Sequence, residues 1–331
     1  MNILITGGAG FIGRHLVRRF TAEACRVMVL DLRTCPAEDF PPADLLQLDV
    51  AGPAAERAVR LFNPHLVIHA AAQTRVAHSL TDPTGDARTN ILGTIRMLEA
   101  ARSGGARGFI FFSSAAIYGE PLDLPMTEEH PTRPLSPYGH SKLAATGYVD
   151  YYREKGLLPA LTLIPANVYG PGQPTGKDGA VVPAFVAGAA AGQPLGVDGD
   201  GTQTRDFVYV DDLVEAVWLA WSRLQAAPPR VGEEVAAAGE PVPAVERSAF
   251  GFAFHGRLNI GSGRETSITD LAALVERVAG KTLGRTYRPE PAGSIKRSAL
   301  NSCLARGVLD WTPAVSLAEG VERTYRAFAV G

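Results

Sequence analysis

Two side chains that stand four residues apart, Tyr138 and Lys142, could together perform acid–base chemistry. They lie at the start of a predicted helix, 138–155, where positions i and i+4 share one face. A nearby cation stabilises a phenolate and lowers a tyrosine pKa that starts near about 10. The spacing therefore predicts a phenol able to act as a general base, although it would also suit two exposed side chains without a function.

A glycine-rich segment near the start of the chain predicts a phosphate-binding loop. Gly7, Gly10 and Gly13 lie between a predicted strand, 1–6, and a predicted helix, 13–24. Glycines there allow a tight turn and a close approach of the backbone to a pyrophosphate, and the helix N-terminus offers free N–H groups. Such a loop could simply join a strand to a helix, but a strand before it and a helix after it is the context that dinucleotide binding requires.

An acidic residue follows the second predicted strand, 26–30, at the position that selects between dinucleotides. Asp31 comes about 20 residues after the glycines, where its carboxylate could accept hydrogen bonds from both ribose hydroxyls. A carboxylate would also repel a 2′-phosphate, which favours NAD over NADP. Arg33 stands close by and leaves NADP open, because a cation could attract that phosphate.

Alternating strands and helices are expected to position these residues. Continuous apolar runs predict further strands at 66–69, 108–113 and 161–164, and helical spacing predicts a helix at 90–102. This alternation indicates an α/β fold, a Rossmann-type doubly wound parallel sheet whose strands are covered on both faces. The rhythm changes after about residue 165, which predicts a smaller C-terminal substrate-binding lobe.

The expected division of the chain is discontinuous. Residues 1–165 and about 206–225 are assigned to the Rossmann domain, and about 166–205 and 226–331 to the smaller lobe. Asp211 or Asp212 is the expected N-cap of one helix in the second half, and a Ser/Thr-x-x-Asp start predicts another in the segment 266–280. The Ala-, Pro-, Gly- and Glu-rich segment 226–247 is interpreted as a surface loop or an insertion.

Composition excludes several classes of function. The 331 residues carry a net charge of −2, so no basic field favours nucleic acid or an anionic membrane. No apolar run is long enough to span a bilayer, and the chain opens without the features of a signal peptide. The three cysteines show neither a metal-binding spacing nor a disulfide framework. We therefore expect a cytoplasmic protein without a metal site.

Several segments, taken in register, resemble the extended short-chain dehydrogenase/reductase family. They include the glycine loop TGGAGFIG, SSAAIYG at 113–119, YGHSK at 138–142, ANVYGPGQ at 166–173 and GDGTQTRDFVYVDDL at 199–213. Within that family the chain is most similar to NAD-dependent nucleotide-sugar 4-epimerases of the UDP-glucose type. The resemblance runs nearly from end to end, and it makes the smaller lobe a nucleotide-sugar-binding lobe.

The resemblance implies roles for individual residues. Tyr138 would be the acid–base catalyst, Lys142 its electrostatic partner and a ligand of the nicotinamide ribose, and Ser114 a hydrogen-bond partner of the reacting sugar hydroxyl. The implied NAD site comprises Gly7, Gly10, Phe11, Ile12, Gly13, Asp31, Arg33, Asp49, Val50, Ala70, Ala71, Gln73, Asn90, Ser113, Tyr138, Lys142 and Pro165. His69, at the end of a strand, is interpreted as a packed histidine rather than a catalyst.

Substrate contacts are implied for four further residues. Asn167 and Arg205 would hold the diphosphate of the nucleotide sugar, next to Ser114 and Tyr138 at the sugar. Relatives carry another diphosphate-binding arginine where this chain has a proline, Pro291, so Arg288 is the expected substitute. Ser298 matches a position beside the C2 substituent of the sugar, and its small size predicts tolerance of N-acetylated sugars.

Two alanines after Ser114 narrow the reaction. Dehydratases and decarboxylases of the family carry acidic residues there, whereas Ala115 and Ala116 cannot move the extra proton that dehydration needs. A UDP-glucose/UDP-galactose 4-epimerase is the leading hypothesis. A 4-ketoreductase, a different nucleotide-sugar epimerase and a non-catalytic NAD(H)-sensing protein remain open. A homodimer through the helices 90–102 and 138–155 is expected, with a monomer left open.

Overall fold

Apolar strands alternate with helices in the computed structural model, which describes residues 1–34, 43–175, 180–226, 256–290 and 294–330. The strands are Asn2–Thr6 (β1), Arg26–Asp31 (β2), Asp44–Gln47 (β3), Leu66–His69 (β4), Gly108–Phe112 (β5), Ala160–Pro165 (β6), Asn167–Tyr169 (β7), Leu195–Asp198 (β8), Thr204–Arg205 (β9), Phe207–Tyr209 (β10), Arg257–Ile260 (β11), Thr266–Ser267 (β12) and Arg285–Arg288 (β13). The helices are Phe11–Ala22 (α1), Pro53–Phe62 (α2), Val76–Thr81 (α3), Pro83–Ala87 (α4), Gly93–Ser103 (α5), Pro137–Glu154 (α6), Val181–Ala190 (α7), Val210–Ala226 (α8), Ile268–Ala279 (α9), Cys303–Leu309 (α10) and Leu317–Val330 (α11).

Seven strands form one parallel sheet in the order β11-β6-β5-β4-β1-β2-β3. The chain runs outward from β1 through β2 to β3, then returns to the other side of β1 and continues through β4, β5 and β6. In the register, Ile3 pairs with Val27 on one side and with Leu66 on the other. The strand order reverses between β1 and β4, and such a switch point is where open α/β sheets bind ligands. The predicted Rossmann-type doubly wound fold is confirmed.

Each face of this sheet is covered by its own apolar cluster. On one face, Leu16 and Phe20 of α1 and Trp221 of α8 are fully buried. On the other face, Val59 of α2 and Met97 of α5 pack against the strands. Burial on both faces explains why the strands are continuously apolar in the sequence.

A third apolar cluster lies in the second half of the chain, with Phe185 of α7, Leu271 of α9 and Val321 of α11 among its members. The two-lobe division stays a prediction, but one of its boundaries is wrong. Arg257–Ile260, which we assigned to the smaller lobe, form β11 at the edge of the large sheet. Leu258 and Ile260 are fully buried there. The burial of these apolar side chains explains why a segment so late in the chain joins the large sheet.

Local predictions differ from the structure at two helix starts. The helix expected from Asn90 begins with a π-helical turn, Arg88–Leu92, that leads into α5. Neither Asp211 nor Asp212 is the N-cap of α8, because the helix already begins at Val210. The carboxylate of Asp212 instead accepts hydrogen bonds from the backbone N–H groups of Ala314 and Val315 at 3.0 and 3.1 Å.

The predicted cap of α9 is confirmed, since the Ser267 hydroxyl accepts from the Asp270 N–H at 2.9 Å. The expected loop at 226–247 lies outside the described residues except for its first position. In the described part of the chain, no helix is both long and apolar enough to cross a membrane. Nor does that part hold a cluster of three or more His, Cys, Asp or Glu side chains suited to a metal ion.

Candidate active site

The glycine loop joins β1 to α1 in a conformation that only glycine suits at two positions. Gly7 has a φ of 71°, and a Cβ there would lie 2.7 Å from the Ala71 nitrogen at the end of β4. A Cβ on Gly13 would collide with the carbonyl oxygen of Gly7. Gly10 is the N-cap of α1, and Phe11 and Ile12 form its first turn. The loop therefore presents backbone at the switch point of the sheet, which is the cradle that a dinucleotide pyrophosphate needs.

Asp31 lies at the end of β2 and is tied to this loop. Its Oδ2 accepts a hydrogen bond from the Ala9 N–H at 3.0 Å, and its Oδ1 accepts from the Arg33 N–H at 2.9 Å. The guanidinium of Arg33 also reaches Oδ1, with Nε at 3.3 Å. The carboxylate is 6% exposed. Asp31 and Arg33 thus form one unit beside the loop, with the cation held by the acid.

The ends of the neighbouring strands gather more of the predicted cofactor residues. The Ala70 and Ala71 N–H groups donate to the carbonyl and hydroxyl oxygens of Thr6 at 3.2 and 3.1 Å. Asp49, after β3, pairs with Arg88 at 2.7 Å. Val50 is buried next to Gly93. These contacts bring the segments after β1, β3 and β4 to the same edge as the glycine loop.

Asn90, in the π-helical turn, links this edge to the helix that carries the catalytic pair. Its Oδ1 accepts from the Gln73 N–H at 2.9 Å, and its Nδ2 donates to Ser141 Oγ at 3.0 Å. The Ser141 hydroxyl in turn donates to the Tyr138 carbonyl at 3.0 Å. Residues in π turns often serve a site rather than a regular helix. Here the turn aims one buried amide at both Gln73 and α6.

Tyr138 and Lys142 lie on the first turns of α6 and face inward. Ser136 caps the helix by accepting from the Gly139 N–H at 3.2 Å, and Pro137 occupies the first turn. Tyr138 is 9% exposed and Lys142 only 3%, so they are not surface side chains. The Lys142 ammonium lies 4.4 Å from the centroid of the Phe111 ring, a cation–π contact.

The electrostatics of the pair differ from the expectation. Burial raises the pKa of the Tyr138 phenol, and the opposing cause is a hydrogen bond from Ser114 rather than the charge of Lys142. Burial also lowers the pKa of Lys142 to about 7. In the described structure, the charge of Lys142 alone therefore does not make this phenol acidic. The physical reason is that the same desolvation penalises phenolate and ammonium alike.

Ser113 and Ser114 follow β5, directly opposite α6. Ser114 is half-buried, caps the short helix Ala115–Ile117 and accepts from the Ala116 N–H at 3.2 Å. Ser113 Oγ lies 2.8 Å from Thr146 Oγ1, which donates to the Lys142 carbonyl at 2.8 Å. Ser113 thus fixes α6 against β5, while Ser114 lies at Tyr138.

His69 is a packed histidine in the structure, as interpreted from the sequence. It is 1% exposed and bonded to Thr6 Oγ1 at 2.7 Å and to Thr94 Oγ1 at 3.1 Å. Burial, with a smaller effect from the Lys142 charge, lowers the pKa of His69 to about 3. The imidazole is therefore neutral at physiological pH and cannot act as a cation beside Lys142.

The substrate residues surround a cavity with a volume of about 250 Å³ in the second half of the chain. Asn167, Arg205 and Arg288 all line it. Arg205 Nη1 donates to the Thr204 carbonyl at 2.8 Å, and burial lowers the pKa of its guanidinium. Arg288 Nε lies 2.9 Å from Asp198 Oδ1. Two guanidinium groups and an amide around one cavity suit a ligand with phosphate oxygens.

Three predicted substrate residues do not line this cavity, namely Ser114, Tyr138 and Ser298. Ser298 is buried and does not line this cavity, whereas Ser294, four residues earlier, does. The neighbour of Ser298, Ala299, accepts a hydrogen bond from the Met126 N–H at 2.8 Å, so the segment packs against the loop that follows Ser114. Pro165 ends β6 and pairs with Ile260 in the sheet register. Pro291, the position at which relatives carry the arginine that Arg288 would replace, falls outside the described residues.

Sequence reasoning missed two acidic residues. Asp86 is buried beside Asn90 and accepts a hydrogen bond from Gln73 Nε2 at 2.7 Å. Its place four residues before Asn90, on the same helix face, was a signal that could have found it. Asp198 lines the cavity and holds Arg288, a contact that depends on the pairing of β8 with β13 and so left no local signal.

Comparison with known proteins agrees with this geometry. Residues 3–233 match the model of the NAD dependent epimerase/dehydratase family. A UDP-glucose 4-epimerase of Mycolicibacterium smegmatis is 36% identical over 99% of this chain and 98% of its own. The crystal structure of a UDP-glucose 4-epimerase from Thermotoga maritima with UDP-glucose covers 99% of this chain and 98% of its own, with a TM-score of 0.85 and 34% identity. That of a UDP-glucose 4-epimerase from Thermus thermophilus in complex with NAD covers 99% of each chain, with a TM-score of 0.83 and 34% identity.

These matches confirm the predicted resemblance, the expectation of an NAD-dependent enzyme of the epimerase type, and NAD as its cofactor. The residues present fit that cofactor, since a side chain on Gly7 or Gly13 would fill the backbone cradle at the switch point. The match is long enough to assign a family on its own, because it spans both the glycine loop and the Tyr138–Lys142 helix. The chain belongs to the NAD dependent epimerase/dehydratase family.

Proposed function

We propose that the protein is a nucleotide-sugar 4-epimerase that interconverts UDP-glucose and UDP-galactose. The observation that carries the proposal is the buried pair Tyr138 and Lys142, one helical turn apart on α6 with Ser114 beside Tyr138, at the edge of the sheet that holds the glycine loop. The relatives named UDP-glucose 4-epimerase support the choice of substrate. The cavity lined by Asn167 and Arg205 supports a diphosphate ligand.

In the proposed reaction, the hydroxyl of Ser114 orients the C4 hydroxyl of the sugar and the phenolate of Tyr138 takes its proton. NAD held by the glycine loop and Asp31 would supply reversible hydride transfer at C4, with the hydride returned to the opposite face of the sugar. Tyr138 then returns its proton to the C4 oxygen, so that no net proton is gained or lost over the reaction. A phenol suits both directions once a hydrogen bond and a nearby positive charge offset its burial, because a general acid–base group works best when its pKa lies near the operating pH.

The chain itself supplies two influences on the Tyr138 pKa with opposite signs. Burial raises it, and the Ser114 hydrogen bond lowers it. A positive charge beside the phenol favours the phenolate. Lys142 contributes that charge only while its ammonium is protonated, and its pKa of about 7 makes this protonation sensitive to pH in the neutral range. We infer that proton transfer is tuned jointly by Ser114 and Lys142.

Cofactor and substrate are assigned to opposite parts of the site. The glycine loop would hold the pyrophosphate of NAD, the Asp31 carboxylate the adenosine ribose, and Asp49 and Val50 the adenine. The ion pair between Arg33 and Asp31 supports NAD over NADP. The guanidinium that could attract a 2′-phosphate is already paired with the Asp31 carboxylate. Arg205, Arg288 and Asn167 would hold the diphosphate of the nucleotide sugar, which leaves the sugar free to turn between the two hydride transfers.

A single incubation tests the proposal. Purified protein, with no added cofactor, is mixed with UDP-galactose, and the formation of UDP-glucose is followed by chromatography. We expect turnover without net consumption of NADH. Net oxidation of added NADH with a 4-keto sugar nucleotide would instead identify a ketoreductase, and bound NAD without any turnover would identify an NAD(H)-sensing protein.

Three finer assignments remain predictions. Tolerance of N-acetylated sugars rests on Ser298, whose place outside the cavity gives it no direct support. A homodimer through α5 and α6 is supported by exposed apolar side chains on and beside these helices, Leu92 at 41%, Tyr148 at 43% and Tyr151 at 51%. The third is a cytoplasmic location.

A further inference from the structure

A buried carboxylate lies beside the catalytic pair and has no role in the proposed mechanism. Asp86 is 1% exposed, in the short helix α4 that packs against α6. Its Oδ1 accepts hydrogen bonds from Gln73 Nε2 at 2.7 Å and from Asn90 Nδ2 at 3.2 Å. Its Oδ2 is buried and has no hydrogen-bond partner among the described residues. A carboxylate oxygen buried without a partner is costly unless a nearby charge or donor compensates it.

The hydrogen bonds of Asp86 lead to the catalytic helix. Asn90 Nδ2, which donates to Asp86, also donates to Ser141 Oγ at 3.0 Å. The Ser141 hydroxyl donates to the Tyr138 carbonyl at 3.0 Å. The carboxylate therefore fixes the amide that supports the first turn of α6, the turn from which the Tyr138 phenol extends.

The charge of Asp86 also acts on Lys142. The Lys142 ammonium is 3% exposed and rests on the Phe111 ring at 4.4 Å, a contact that replaces only part of its lost hydration. Burial lowers the pKa of Lys142, and the negative charge of Asp86 raises it again. The same charge raises the pKa of Tyr138. Asp86 therefore favours the protonated state of both members of the pair.

Other titratable groups near Asp86 do not offer this compensation. His69, on β4, is neutral because its pKa is lowered to about 3. If it were protonated, its positive charge would disfavour the Lys142 ammonium, whereas the negative charge of Asp86 favours it. Arg88, in the π-helical turn, is paired with Asp49. Arg75, His78, Asp82 and His140, on or beside α3, α4 and the first turn of α6, are exposed. Asp150, two turns beyond Lys142 on α6, is paired with Arg257.

We propose that Asp86 is a positioning residue for the reaction, which anchors the Asn90 amide against α6 and keeps the buried Lys142 ammonium charged. It touches neither the sugar nor the reacting atoms. It acts through Lys142, whose retained charge stabilises the Tyr138 phenolate and offsets the direct effect of the Asp86 charge on the phenol while the proton is taken from the substrate. The role of Asp86 rests on the proposed epimerase function only where it is tested by kinetics; the titration of Lys142 does not depend on that function.

The direct test is the titration of Lys142 in the purified protein. Lysine labelled with ¹³C at the ε-carbon reports protonation by NMR, and the chain has few lysines, so a Lys142→Arg variant identifies the resonance. Removing the neighbouring negative charge in Asp86→Asn should lower the pKa of Lys142 by about one unit. Asp86→Glu retains the charge and should recover most of that shift.

Kinetics on UDP-galactose give the second readout. The alkaline limb of the kcat–pH profile should move to lower pH in Asp86→Asn by the same amount as the Lys142 titration, while KM changes by less than about twofold. Glu99→Gln is the matched control. Glu99 is a carboxylate on α5 that bonds Tyr152 and Arg102, away from the pair, and its neutralisation should move neither readout.

The outcomes separate the proposal from the proposed function. Absence of turnover by the wild type would refute the function but leave the Lys142 titration to judge Asp86. An unchanged Lys142 titration in Asp86→Asn, or an equal shift in Glu99→Gln, would overturn the role of Asp86. If Asp86→Asn does not fold, the chemical shift of the Asp86 carboxyl carbon is followed against pH in the wild type. It should change in the pH range where Lys142 titrates. A constant chemical shift in that range would overturn the proposal.

Discussion

The cofactor side of the site, at the glycine loop, and the substrate side, at the cavity lined by Arg205 and Arg288, use different chemical groups to bind their ligands. At the glycine loop, backbone groups do the positioning, since Gly7 and Gly13 leave no room for a side chain and the buried Asp31 holds the Ala9 N–H. At the cavity, charged side chains do it, and Arg288 and Asp198, 53% and 43% exposed, already hold each other. A backbone cradle is rigid without its ligand, whereas an ion pair must exchange partners when a phosphate arrives. This contrast suits a cofactor that stays bound and a sugar that must turn.

The largest effect is expected at the boundary between the two sides. Tyr138→Phe removes the atom that takes and returns the proton, so kcat should fall by about 10²–10⁴-fold, the usual contribution of a general acid–base group. The fold and the cofactor content should persist, because the phenyl ring still fills the buried position. Steady-state rates with UDP-galactose and the absorbance of bound NAD measure the two effects. Retained wild-type activity would remove Tyr138 from the mechanism.

On the cofactor side, a single added methyl group should lower both the stability of the protein and its NAD content. In Gly13→Ala the new methyl group collides with the Gly7 carbonyl, and overpacking of this kind costs about 1–3 kcal/mol in the free energy of unfolding. The purified variant should also have lost its NAD. Gly307→Ala is the control, since a Cβ there meets no described atom within 4 Å. Full NAD occupancy in Gly13→Ala would contradict a backbone cradle.

The substrate side should respond in KM rather than in stability. Arg205→Gln removes a charge-assisted hydrogen bond of about 1.5–3 kcal/mol, so KM for UDP-galactose should rise by about 10- to 100-fold. Thermal unfolding should change little, since Arg205 is half-buried and forms no ion pair with another described residue. A fall in kcat at constant KM would place Arg205 at the sugar instead of the diphosphate.

The smallest effect should come from freeing Arg288. Asp198→Asn releases the guanidinium from its partner, and because exposed ion pairs contribute up to about 1 kcal/mol, KM should fall by at most about fivefold. Substrate titrations at low and high salt measure this change. A rise in KM would show that Asp198 itself contacts the substrate.

Short local patterns predicted the glycine loop and the helix start on the cofactor side, while long-range contacts decide the substrate side. Gly7, Asp31 and Tyr138 follow from short patterns, because a strand, a tight turn and a helix start each leave a signal within a few residues. Asp198 meets Arg288 only through the pairing of β8 with β13, which no local pattern encodes.

Two errors have the same origin in tertiary contacts. Asp212 could have capped its own helix, but two N–H groups about a hundred residues later in the chain use its carboxylate. The spacing of Tyr138 and Lys142 predicted a nearby charge but left out the burial that raises the Tyr138 pKa. Spacing alone shows which groups are near each other but not how much water surrounds them.

The most direct test of the account follows the hydrogen at C4. UDP-galactose carrying deuterium at C4 is converted by the purified protein in ordinary water, and the product is analysed by mass spectrometry and NMR. If hydride leaves C4 and returns within one closed site, the UDP-glucose formed keeps its deuterium at C4. Loss of the deuterium to solvent during turnover, or no UDP-glucose at all, would contradict it.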